Sequence, residues 1–91
     1  MPPELLAAAD VAASGAAIES VQEPSGAIPW TAGGHADVWN HVEAAMALLV
    51  AGRIEAVDRA WSWVRQTQRA DGSWPMKVVG TVALTVPRWF P

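Results

Sequence analysis

The sequence predicts an all-α chain of about three helices, packed as helical hairpins and ending in an irregular or weakly extended tail. Three observations carry that prediction. Apolar residues recur at helical spacing in two segments. Pro and Gly stand where helices start and stop. A short phrase of turn residues is repeated at a fixed offset.

The first helix is expected from about Glu4 to Val21. Pro2 and Pro3 suit a helix start, where a missing N–H would be unpaired anyway. Ala dominates the segment and is the best helix former. Pro24, Ser25 and Gly26 stop it. A loop with Pro29 and the Gly33–Gly34 pair follows. Asp37 then offers a carboxylate as N-cap for a second helix, which Gly52 ends. Val38, Val42, Ala45, Met46 and Leu49 form that helix's expected apolar face. The third helix spans about Ile54 to Gln68, with Ile54, Val57, Trp61, Val64 and Gln68 along one side. Beyond Met76 the β-branched, uncharged run Val78 to Val86 prefers extended structure, and a hairpin around Gly80 is open to it.

Composition excludes several functions. The chain has 91 residues, is 52% hydrophobic and only 16% charged, which rules out a disordered tail. With no Cys there is no disulfide, thiolate metal site or cysteine nucleophile. All six bases fall in residues 53–91, among the acids Glu55, Asp58 and Asp71, so no cation cluster marks a nucleic-acid surface. The Arg59, Arg65 and Arg69 row reads as a solvated face, with an anionic ligand as the alternative. The longest apolar run, Ala44 to Ala51, is eight residues, against about 20 for a membrane span. No positive region precedes the Ala-rich start, so a cytoplasmic protein is expected.

Internal similarity is the strongest signal. Gln22, Gly26, Ile28 and Pro29 recur as Gln68, Gly72, Trp74 and Pro75, 46 residues on. In physical terms, Gln closes a helix, Gly reverses the chain and the large apolar residue fills the gap between helices. The phrase is architectural. It contains no chemistry.

Arg59-Ala60-Trp61-Ser62-Trp63-Val64-Arg65-Gln66-Thr67-Gln68-Arg69-Ala70-Asp71-Gly72-Ser73-Trp74 resembles the QW motif of squalene–hopene and oxidosqualene cyclases. Gln22, Gly26 and Ile28 look like a degenerate copy of it. The resemblance extends to the wider α/α-toroid superfamily, which includes terpenoid cyclases, protein prenyltransferase β subunits and actinobacterial prenyltransferase or squalene-oxidase repeat proteins. It implies helical hairpins of a toroid over residues 1–75, with residues 76–91 as a divergent tail. It further implies a truncated cyclase- or prenyltransferase-like protein, inactive by itself. Gln22, Gly26, Gln68, Asp71, Gly72 and Trp74 would serve as structural joints. The alternatives are a piece of an active isoprenoid-processing or transferring enzyme, and a small helical interaction module using exposed Trp as anchors. The cyclase acid motif DxDD is missing.

Two site readings come from the residues. Asp37, Trp39 and His41 could line a cavity and meet an apolar or cationic substrate, with core packing of Trp39 as the alternative. His35, Asp37 and His41 have the spacing to hold a divalent metal ion. The alternative is a capping Asp37, with Asn40 and His41 satisfying neighbouring loops. Two imidazoles without a third strong ligand favour the latter. No other cofactor is read. Trp61, Trp63 and Trp74 are expected to pack. Three short helices share one interior, so some apolar surface stays exposed, and self-association or further repeats would cover it.

Overall fold

The computed structural model describes residues 7–84. Its elements, in chain order, are α1 (Ala8–Val21), β1 (His35–Ala36), α2 (Val38–Val50), α3 (Ile54–Thr67), β2 (Lys77–Val79) and β3 (Val82–Leu84). Three helices dominate, as the sequence predicts, and a small antiparallel sheet is added to them. The expected helix start near Glu4 and the end of the tail, from residue 85, lie outside the described residues.

The helix ends follow from local chemistry. Asp37 caps α2 by accepting from the Asn40 backbone N–H at 2.9 Å. Arg53 precedes α3, and its guanidinium meets the Glu19 carboxylate of α1 at 3.1 Å. Both partners are half-exposed, so this pair contributes at most about 1 kcal/mol. Gly15 is the buried residue of α1. A Cβ there would lie 2.5 Å from the Ala51 methyl, so the missing side chain lets α1 approach the end of α2.

One buried cluster joins Ile28, Ala45, Leu48, Ala56, Val57 and Ala60, with Ile18, Val21 and Ala44 against it. A second joins Ala27, Ala36, Trp63 and Val78, with Val64 alongside. The α2–α3 seam is therefore lined largely by Ala, which lets the two backbones come close. This differs in phase from the apolar faces read in the sequence. Met46 and Leu49 of α2 and Ile54 of α3 are more than half exposed, while His41, Ala56 and Ala60 are buried. Hydrophobic periodicity weights large side chains; close helix packing selects small ones, and a satisfied His.

The sheet order is β1-β2-β3. Val78 sits opposite Ala36 on one side and Ala83 on the other. The hairpin around Gly80 forms as the β-branched run allows, and Gly80 takes the first central position of its two-residue turn. What supports this short hairpin is its pairing with β1 and the burial of Val78 against Trp63.

Candidate functional site: an aromatic groove at the start of helix α2

The loop from Pro29 to Ala36 delivers Trp30 to the N-terminus of α2. Three interactions set its indole. The Trp30 backbone N–H donates to the His35 carbonyl at 2.9 Å. The imidazole of His35 lies tilted against the ring, with centroids 4.8 Å apart. The indole Nε1–H donates to Asp37 Oδ2 at 2.6 Å. Trp30 nevertheless keeps 61% of its surface exposed. In the first turn of α2, Trp39 is 74% exposed, its Nε1–H donating to Glu43 Oε1 at 3.2 Å.

These two indoles flank a groove of roughly 730 Å³, to which Asp37, Asn40, Arg69 and Trp74 also contribute. Trp74 donates its Nε1–H to the Val64 carbonyl at 2.8 Å and is half-buried. All three indole N–H groups are thus committed to the protein, which fixes each ring in place. The rings of Trp30 and Trp39 stay largely open.

Asp37 is the organising residue. Its Oδ1 accepts from the Asn40 backbone N–H and side-chain amide, and its Oδ2 from the Trp30 indole and the same amide. Burial alone would raise its pKa. The hydrogen bonds from Asn40 and Trp30 and the nearby His35 outweigh that, holding the carboxyl below the usual value of 3.8. A carboxylate held ionised in this way is a cap and a clamp, and is poorly suited to give up a proton near neutrality.

The site residues expected from the sequence are divided by the fold. Asp37 and Trp39 reach the groove, and so does His35. His41 points the other way and is fully buried. Its Nδ1 accepts from the Ile28 backbone N–H at 3.1 Å, while Nε2 meets the Ala60 carbonyl at 2.8 Å. Those partners require the neutral tautomer with the proton on Nε2. Its ring packs tilted against Trp63 with centroids 4.3 Å apart. In this arrangement the imidazole is a three-way tie between the loop after α1, α2 and α3, with no nitrogen left for a ligand. Among the described residues, no group of three or more His, Asp or Glu is placed to hold a metal ion. Glu43 is engaged by Trp39 rather than by a cavity.

Trp30 is the groove residue that sequence reasoning missed. It has no periodic partner, and the available signal was its place in a Pro/Gly-bounded loop, where binding residues concentrate.

No protein-family model matches the chain. It is 60% identical over 62 residues to an MMP endo-(1,4)-3-O-methyl-alpha-D-mannosidase from Mycolicibacterium hassiacum. The match takes in 68% of this chain and 17% of that protein, so the chain spans about a sixth of the relative's length. This overturns the resemblance to squalene cyclases and prenyltransferases, and with it the reading as a truncated terpenoid cyclase or transferase with an isoprenoid substrate. The reason is physical. The Gln–Gly–Trp phrase terminates a helix and reverses the chain, a task any stacked helical scaffold can set, whatever it acts on. No helix among the described residues is long and apolar enough to cross a membrane.

Proposed function

We propose that this chain supplies a carbohydrate-binding wall of a glycan-active protein, and that its groove takes O-methylated α-mannosides. The observation that carries this reading is the pair of open indoles, Trp30 and Trp39, held about a polar floor of Asp37 and Asn40. A pyranose ring has an apolar C–H face and a rim of oxygen atoms, which suits an aromatic surface beside hydrogen-bonding groups. A methyl ether replaces a hydroxyl donor by more apolar surface, and that favours indole further. The 60% identity to a 3-O-methyl-mannosidase supports the same substrate class.

The role is binding rather than bond cleavage. Glycoside hydrolysis ordinarily needs two carboxylates flanking the scissile bond, one of them protonated. Asp37 is the one acid among the described residues lining this groove, and it is held ionised. The exposed apolar residues of α2, including Met46, Leu49 and Val50, fit a chain that works in association, with copies of itself or with further helices.

Calorimetric titration with an α-(1,4)-linked 3-O-methylmannose oligosaccharide tests the proposal. Saturable binding is expected, weakened on the order of 10-fold by Trp39→Ala, the worth of about one aromatic contact. An absence of heat at millimolar ligand, or equal binding by Trp39→Ala, would overturn it.

A further inference from the structure

A second groove adjoins the first. It holds roughly 500 Å³ and is walled by Ala17, Ile18 and Val21 of α1, Ile28 and Pro29 of the loop, and Ala44 of α2. Trp30 and Asn40 line both grooves, so the two meet at those side chains. Their chemistry differs. Asp37, Arg69 and Lys77 bring charge to the first groove, whereas the described residues of the second include no charged side chain.

The second groove also has no hydrogen to offer an oxygen atom. The Ile28 N–H is taken by His41 Nδ1, and Pro29 has none. The Trp30 backbone N–H donates to the His35 carbonyl and its indole N–H to Asp37. The Asn40 amide nitrogen is turned onto both oxygens of Asp37, and its backbone N–H meets Oδ1. Ala17, Ile18, Val21 and Ala44 lie beyond the first turns of their helices, where N–H groups bond within the helix. Such a wall cannot replace the water around a sugar hydroxyl, and burying an O–H against it is costly. A methyl ether has no O–H, and its carbon gains from burial against aliphatic side chains.

We propose that this second groove is the subsite for the methyl ether of the bound sugar, with Ala17, Ile18, Val21 and Ala44 setting the preference for methylated over free hydroxyl groups. The inference rests on the carbohydrate reading of the first groove. A sugar stacked on Trp30 keeps its hydroxyl rim over Asp37 and Asn40 and turns its methyl ether into the second groove. The two shared side chains make that path continuous. The volume is within the range of roughly 300–1,000 Å³ typical of small-molecule sites. Ala17 and Ala44 keep the space open, since a larger side chain at either position would occupy it.

The test is calorimetric titration of the 91-residue chain with two α-(1,4)-linked mannose oligosaccharides of equal length, one 3-O-methylated and one unmethylated. The methylated sugar should bind on the order of 10-fold more tightly, from one buried methyl and one O–H spared desolvation. Ala17→Leu fills the groove from an exposed helical position, where Leu is well tolerated. It should bring the ratio of the two affinities to about one; a merely structural defect would weaken both sugars and keep the ratio. Carbon–proton spectra should show the Ile18 and Val21 methyl signals shifting with the methylated sugar and staying fixed with the other. Failure of both sugars to bind would overturn the carbohydrate reading and this subsite with it. Equal affinity of the two sugars for the unaltered chain, or a preference that survives in Ala17→Leu, would overturn the subsite alone.

Discussion

Replacing His41 by Phe isolates the hydrogen bonds that tie the core together. Phenylalanine keeps an aromatic ring against Trp63 and is close in size, so cavity formation contributes little. It leaves two buried backbone groups without partners, the Ile28 N–H and the Ala60 carbonyl. Each such orphan costs roughly 1–3 kcal/mol, so His41→Phe should lose about 2–6 kcal/mol. A domain of this size has a total stability of roughly 4–12 kcal/mol, so the variant should be near unfolding at room temperature. Urea denaturation followed by tryptophan fluorescence gives the comparison, with the midpoint shifted and the slope unchanged. A loss under about 0.5 kcal/mol would refute the reasoning, because it would mean that neither backbone group depends on the imidazole.

The same residue sets a pH dependence. Burial pushes the His41 pKa below its usual 6.5, opposed only in part by the Ala60 carbonyl and by Asp37. The unfolded chain therefore binds the proton first. Stability should be full above pH 6.5, fall as pH drops below it, and level off beneath the depressed folded value; His41→Phe should lack this slope. Asp37 acts in a separate window, its contribution being lost only below the usual carboxylate value of 3.8. Denaturant midpoints measured from pH 7.5 downward check both signs. The paired variants Gly26→Ala and Gly72→Ala share the same backbone strain, but only the first meets the Arg59 carbonyl. Gly26→Ala should therefore be the more destabilising by at least about 1–3 kcal/mol, read from parallel thermal melts; equal losses would contradict the close approach of Gly26 to α3.

What could be read ahead of the structure was whatever short-range chemistry decides. Asp37 as a cap, the end of α3 at Gln68 and the reversal at Gly72 each depend on a few consecutive residues, and each is found where the sequence places it. The repeated phrase was legible for the same reason, down to matching dihedral angles. What it serves was not. A turn that ends a helix and reverses the chain is shared by proteins of unrelated activity, so a resemblance built on it pointed to the wrong substrate class. The packing phase of α2 was hidden because one of its three buried positions, beside Ala45 and Leu48, is a histidine whose partners are backbone atoms 13 and 19 residues away. Met46 and Leu49 look like core and face outward instead. The pairing of β1 with β2 was also out of reach, since a two-residue strand carries almost no pattern and its partner lies beyond two helices.

The groove reading rests on two open indoles, and their ring N–H resonances report on them directly. The six Trp side chains give six such signals. On titration with the 3-O-methylmannose oligosaccharide, those of Trp30 and Trp39 should move together and saturate, while that of buried Trp63 stays fixed. Movement confined to Trp61, or six unmoved signals at saturating sugar, would contradict the assignment of this groove to carbohydrate.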